Sequence, residues 1–279
     1  MINNIIVISD LHCGCRFGLL PKEGIQIDGG NVVLPSPLQL KMWGYWEEFW
    51  GEWVPKVTKK QDYAVILNGD AIDGVHHGST SQISHNIKDQ ENICVSIMKP
   101  IVSAPKCKAY YHIRGTEVHG GISGDSEERI AESLGAVRDE LGAYSRWELW
   151  LRFGANKALI HVTHHIGTTS SASYESTAVQ KEMVETLNEA GRWGDEPPVV
   201  IVRSHRHREF ETRFGTKNGY GISLVTPAWQ LKTPFTNRIP LGRTSTPHIG
   251  GYLIREGDED MVFTRHKVWR IERSQCEEI

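Results

Sequence analysis

The stretch Ala64-Val-Ile-Leu-Asn-Gly-Asp-Ala-Ile-Asp-Gly74 decides how this chain is read. Its apolar run, Ala64 to Leu67, stops at Asn68 and Gly69 and delivers the carboxylate of Asp70 into a tight turn. So short an apolar run between turn residues suits a strand buried on both faces. Aspartate is disfavoured inside strands. Asp70 therefore belongs at the strand's C-terminal lip, where open α/β sheets bind ligands.

The same construction recurs along the chain. Ile5 to Ile8 runs into Ser9-Asp10-Leu11-His12, and Ala109 to Ile113 into Arg114-Gly115-Thr116-Glu117. Ala158 to Val162 runs into Thr163-His164-His165, and Val199 to Val202 into Arg203-Ser204-His205-Arg206-His207. One such ending is ordinary turn chemistry. Five of them on one sheet edge make a dense set of oxygen and imidazole donors.

Composition sets bounds without choosing a function. The chain has 279 residues, 39% of them hydrophobic, and a net charge of −3. Holding nucleic acid mainly by bulk electrostatics needs a strong positive field, which this balance does not supply. Met1-Ile2-Asn3-Asn4 offers no basic signal region, and no apolar stretch approaches the roughly 20 residues that span a bilayer. Five scattered cysteines are an odd count that argues against a disulfide framework. A cytoplasmic location with no membrane partner is the expectation. Without repeats or Gly/Ser linkers, residues 1–279 read as a single domain. Its segment 16–60 exceeds an ordinary connection and is expected to form a pocket rim or a subunit contact.

Between the strands the pattern turns helical. Asp28-Gly29-Gly30-Asn31 is hairpin punctuation. Pro35 to Val54 reads as a helix, with Trp43, Trp46, Trp50 and Trp53 on one face. That stripe reads best as an apolar face packed on the sheet or a partner, with base stacking the alternative. Further helices are expected from Ser84 to Val102, Asp125 to Leu134, and Ser171 to Ala190 with Gly191 as its stop. Trp147 to Phe153 and Lys157 to Val162 read as a strand pair. Strand-like runs then follow one another: Phe210 to Phe214, Gly221 to Val225, Gly251 to Ile254 and Met261 to Ile271. Strands that first alternate with helices and then succeed one another predict a two-sheet α/β sandwich.

Asp10-x-His12, Gly69-Asp70-x-x-Asp73, the turn at Gly115, His164 and His205-x-His207 form an ordered set. In that order the chain resembles the calcineurin-like metallophosphoesterase superfamily over roughly residues 5 to 210. The resemblance implies an αββα sandwich of the metallophosphoesterase type. It implies a dinuclear metal-dependent phosphoester hydrolase that uses a metal-bridging hydroxide. One ion would be held by Asp10, His12, Asp70 and His207, the other by Asp70, Thr116, His164 and His205, with Asp70 bridging. Two ions close together acidify a bridging water and stabilise charge on phosphoryl oxygens. Mixed O/N ligation suits Mn, Fe, Zn, Co or Ni, with Mn favoured. A phosphodiesterase acting on nucleic acid or nucleotides is the first expectation. A phosphomonoesterase and a metal-binding scaffold without catalysis are the alternatives. A homo-oligomer is left open.

The third block departs from the family's Gly-Asn-His-Glu/Asp. Thr116 stands at the Asn position and Glu117 at the His position, so either Glu117 acts as ligand or acid, or His119 swings in as general acid. His164, directly after its strand, is preferred over His165 as ligand, leaving His165 to orient a ligand or touch substrate. Asp73 is expected to orient a ligand histidine. His76 and His77 read either as substrate contacts or as a solvated loop. Arg114 reads equally as a phosphate clamp or a structural ion pair. Arg203, Arg206 and Arg208 are candidate phosphate contacts, His161 a packed core histidine, and Trp229 a weak candidate for the pocket lining.

Overall fold

β1 (Asn4–Ile8) shows how the sequence builds the frame, because all of its residues are buried and they alternate between two cores. Ile5 and Val7 face the interior between two sheets, while Ile6 and Ile8 face a layer of helices. A strand covered on both sides needs an unbroken apolar run, which is what the sequence supplies. Each fully buried Ile contributes roughly 1.5–3 kcal/mol relative to exposure. The computed structural model describes residues 2–76, 78–167, 171–216, 219–238, 246–257 and 262–271.

After β1 come a small hairpin, β2 (Ile25–Gln26) and β3 (Val32–Val33), and the helix α1 (Pro37–Glu48). A π-helical turn, Phe49–Trp53, leads into α2 (Val54–Val57). β4 (Tyr63–Asn68), α3 (Ile87–Val102), β5 (Cys107–Ile113), a single turn α4 (Glu117–Gly120) and α5 (Asp125–Leu134) follow. Next are β6 (Ser145–Arg146), β7 (Glu148–Phe153), β8 (Ala158–Thr163), α6 (Glu175–Trp193) and β9 (Val200–Arg203). The chain closes with β10 (Phe210–Thr216), β11 (Gly219–Val225), β12 (His248–Glu256) and β13 (Val262–Arg270).

A six-stranded sheet has the order β13-β12-β1-β4-β5-β6, and a five-stranded sheet the order β10-β11-β9-β8-β7. The central strands β1, β4, β5 and β6 are parallel, as are β8, β9 and β11. Side chains from both sheets, among them Ile5, Ile66, Ile160, Val202 and Leu224, fill the space between them. α1, α3 and α5 cover the outer face of the six-stranded sheet, and α6 lies against β10 and β11 of the other. The layers are αββα. The parallel strands of both sheets end at a common edge, and the candidate ligands follow those ends.

Several expected boundaries move. α6 passes through Gly191 and stops at Gly194, whose φ of +76° supplies the left-handed cap. α3 starts at Ile87, capped by the Asn86 side chain. The long tryptophan helix is broken by the π turn, and Trp46 and Phe49 are buried while Trp43, Trp50 and Trp53 pack at the margin. The segment 16–60 therefore lies mainly as a helical layer over the sheet. Only its first residues stand behind the candidate site, where a Cβ on Gly18 would lie 2.3 Å from the His12 carbonyl oxygen. Trp229 lies in the aromatic core at 0% exposure, against Trp46 and Phe49.

Candidate metal centre

The loops after β1 and β4 are zipped together by main-chain hydrogen bonds. Asp10 N–H donates to Gly69 O at 3.0 Å, His12 N–H to Asp70 O at 3.1 Å and Cys13 N–H to Ala71 O at 3.0 Å. Those bonds aim Asp10, His12 and Asp70 at the same space. The required backbone is unusual. Asp10, His12, Asp70, His205 and His207 all have φ between +44° and +70°, and they make up five of the eight non-glycine residues with positive φ among those described. Such conformations cost of order 1–3 kcal/mol each and persist only where the surroundings enforce them. Gly115 has a different constraint, since a Cβ there would lie 2.1 Å from Asp70 Oδ1.

Asp70 is at the centre. Its Oδ2 lies 3.1 Å from His164 Nε2, 3.9 Å from His119 Nε2 and 4.0 Å from His205 Nδ1. Asp10 Oδ1 lies 3.3 Å from His207 Nε2, 3.9 Å from His164 Nε2 and 4.0 Å from His12 Nε2. Two groups of donor atoms result, Asp10–His12–His207 and Asp70–His164–His205, and in each the atoms fall within 4.8 Å of one another. A third such group is His12–Asp73–His119.

The donor set fits divalent cations. Asp10 Oδ1 and His164 Nε2 are buried yet make no hydrogen bond, an arrangement that costs free energy unless another partner is supplied. His164 Nδ1–H donates to Asn68 O at 2.6 Å, which leaves Nε2 to face the carboxylates. Burial opposes charge on His164, but Asp70 and Asp10 outweigh it and lift its pKa to about 10. Burial likewise opposes the Asp10 carboxylate, and His207 and His164 overcome it, holding the pKa at about 2. Asp70 is held well below the usual carboxylate range by His164 and His119 against the same opposition. The chain thus folds as an αββα sandwich with these donors gathered at the common edge of its two sheets.

No protein-family model matches the chain, and no curated protein sequence does. Solved structures are similar at the level of fold. A predicted phosphoesterase from Streptococcus pneumoniae is 10% identical, with 96% of this chain and 98% of that chain covered and a TM-score of 0.35. Chaetomium thermophilum Vps29 is 11% identical, with 97% of each chain covered and a TM-score of 0.35. Likenesses this slight carry nothing about the site, whose chemistry rests on its own residues.

Asp10, His12, Asp70, His164, His205 and His207, the ligand positions expected from the sequence other than Thr116, lie together at this common edge. Thr116 caps the α4 turn, and both its N–H (2.6 Å) and its hydroxyl (3.0 Å) donate to Asp70 Oδ1. Its hydroxyl steadies the Asp70 carboxylate. Glu117 is exposed at the start of that turn, whereas His119, carried round by it, packs edge-on against His12 with ring centroids 4.5 Å apart. His119 Nδ1–H donates to Asp73 O at 2.6 Å, and burial pushes its pKa down to about 4. In that tautomer Nε2 is a bare acceptor, which suits a ligand or base better than the proton donor expected from the sequence.

Asp73 Oδ1 lies 3.3 Å from His12 Nδ1 and accepts from Gln230 Nε2 at 3.1 Å, while Oδ2 accepts from Gln82 Nε2 at 2.6 Å. Gln82 and Gln230 carried no signal in the sequence. His76 lies 3.8 Å from Asp73 and packs on His119; His77 lies outside the described residues. His165 is exposed and stacks on His205 at 4.7 Å.

Arg114 takes part in the structural contacts expected of it: its Nε donates to Ser145 and its terminal nitrogens to Ser123 O and Glu128. Arg203 pairs with Glu182, Arg208 with Glu175, and Arg206 donates to the carbonyls of Gly167 and Glu175. His161 is no apolar core residue. It lies on the outer face of β8, hydrogen-bonded to Glu148 at 2.8 Å and to Arg203 at 3.3 Å, with Trp150 stacked on it at 4.2 Å.

Proposed function

We propose that this protein is a dinuclear metal-dependent phosphoester hydrolase, with phosphodiesters of nucleic-acid or nucleotide type as its substrates. The observation that carries the reading is Asp70 Oδ2, which lies within 4.0 Å of imidazole nitrogens from three separate loops, those of His119, His164 and His205. A carboxylate oxygen so placed can serve two cations at once, and neutral imidazoles fix their geometry without cancelling their charge. When bound, divalent cations supply Lewis-acid activation of water and neutralise charge on phosphoryl oxygens. Asp10, His12 and His207 would hold one ion, and His164 and His205 the other, with Asp70 shared. Manganese is the metal to try first.

The residues around that set orient it and exclude competing contacts. Asp73 holds the His12 ring, Asn68 O fixes His164, and Thr116 steadies Asp70. Nε2 of His119 faces the same space and can take a proton there or complete a coordination sphere. The scaffold alternative rests on Thr116 and Glu117, and His119 answers it by putting an imidazole where those two residues put none.

The test is hydrolysis of bis-p-nitrophenyl phosphate in Mn²⁺ by wild type and by Asp70→Asn. Wild type is expected to turn over and Asp70→Asn to lose at least about a hundredfold in kcat, the scale of removing a key electrostatic group. A variant that retains wild-type turnover overturns the mechanism. A higher kcat/KM on p-nitrophenyl phosphate than on the diester shifts the reading to a phosphomonoesterase. Bound Mn²⁺ with no turnover on either ester shifts it to a scaffold.

A further inference from the structure

Glu127 is a buried acid for which the proposed hydrolysis has no use. It sits in the first turn of α5 at 0% exposure, beside His112 at 0% and Tyr110 at 4%. One carboxyl oxygen accepts the N–H of Ala71 at 3.2 Å. The other takes the Nε2–H of His112, whose Nδ1 pairs with the Tyr110 hydroxyl at 2.6 Å. On its other side Glu127 abuts the α4 turn, where a Cβ on Gly120 would come within 3.0 Å of Glu127 Cγ.

These contacts have a common destination. Ala71 follows Asp70, a member of the Asp70–His164–His205 donor group, and Gly120 follows His119. Asp70 has φ +51°, a left-handed conformation that carries a cost for a residue with a Cβ, aspartate included. Fixing the N–H of the next residue on a buried acceptor removes the freedom by which that turn would relax. Burying an acid and an imidazole is weak as a device for stability, since apolar residues of similar volume often do as well. As a device for holding one turn in one conformation it is well suited.

Resting on the metal-dependent reading above, we propose that Glu127, oriented by His112 and Tyr110, is a positioning residue that sets the Asp70 and His119 turns for cation binding. The arrangement reaches the metal centre only through main chain, so it neither touches substrate nor contributes a ligand.

The test compares wild type, Glu127→Ala, Glu127→Gln and Glu127→Asp by calorimetric Mn²⁺ titration and by hydrogen exchange at the Ala71 amide of the metal-free protein. Glu127→Ala is expected to bind Mn²⁺ about tenfold more weakly, the usual scale for losing a group that orients a ligand, and to expose the Ala71 amide to exchange. Glu127→Gln keeps an oxygen for Ala71 and is expected within about threefold of wild type, a rescue that a general packing defect would not give. Glu127→Asp, one methylene short, gives the same reading where the Ala variant does not fold. A folded Ala or Asp variant with both Mn²⁺ affinity and Ala71 protection within about twofold of wild type overturns the proposal. Wild-type protein that binds no Mn²⁺ defeats the proposed function itself. The amide then decides the anchoring alone, sustaining it if protection is lost in Ala and kept in Gln, and overturning it if both keep protection.

Discussion

At the scale of single residues, Gly115 and His161 put the site and its surroundings to the test. Gly115→Ala places a methyl group 2.1 Å from Asp70 Oδ1 and 2.2 Å from Asp70 N, where backbone has no room to yield. Overpacking of that kind costs about 1–3 kcal/mol. The variant is expected to unfold at lower urea and to bind Mn²⁺ more weakly, and an unchanged urea midpoint would contradict the close approach. His161 is held neutral, first by burial and then by Arg203, with its pKa lowered to about 4 against the pull of Glu148 and Glu182. An unfolded chain takes up that proton near pH 6.5. Between those values the unfolded state binds more protons than the folded one, so this group's contribution to stability is lost as pH falls from about 6.5 towards 4. An NMR titration is expected to find the His161 midpoint near pH 4, and a midpoint near 6.5 would contradict it. His161→Gln, which cannot take the proton, is expected to lose less stability over the same window. What was legible at this scale was residue type and order. Asp10, His12, Asp70, His164, His205 and His207 all come to one place. What was illegible was direction: nothing in adjacent letters tells buried His164 from exposed His165, or shows that Arg114 hydrogen-bonds to Ser123, Ser145 and Glu128.

At the scale of elements, the buried parallel strands were the clearest part of the sequence, because covering both faces leaves an uninterrupted apolar run. α5 was equally clear, with acidic residues at its start and Gly135 in the left-handed region at its end. The tryptophan helix was only half legible. Three- and four-residue spacing identifies a face but not a π turn at Phe49–Trp53, which packing of Phe49 against Trp53 and Trp229 selects. β6, two residues long, pairs with β5 and has no pattern to read. The start of α1 yields a prediction confined to its element. Ser36 caps it in a reciprocal box: its hydroxyl accepts Gln39 N–H at 3.3 Å, and the Gln39 side chain accepts Ser36 N–H at 3.1 Å. Ser36→Ala is expected to cost about 1 kcal/mol in denaturant unfolding and to leave phosphodiester turnover unchanged, because the cap lies on the outer layer. A loss of turnover larger than the loss of folded protein would show that segment 16–60 reaches the site more directly than its packing indicates.

At the scale of the whole molecule, the proposed metal centre would add a tie between two sheets already joined by an apolar core and by polar bonds such as Asn68 Nδ2–H to Thr163 O at 3.0 Å. Asp10, His12 and Asp70 follow strands of the six-stranded sheet, while His164, His205 and His207 follow strands of the five-stranded sheet. A cation bound between Asp10 and His207, or between Asp70 and His164, therefore ties one sheet to the other at their common edge. A ligand that binds only the folded state stabilises it by RT ln(1 + [L]/Kd), about 2.7 kcal/mol at a hundred times Kd. Thermal unfolding of wild type is expected to shift upward on adding Mn²⁺ and to return on adding EDTA. Asp70→Asn should lose most of the shift, measured from its own metal-free unfolding temperature, which is expected to lie below that of wild type because the Asp70 carboxylate is paired with His164 and His119. If Mn²⁺ raised the unfolding temperature of both proteins equally, the stabilising ion would be bound away from Asp70 and the two sheets would not share it.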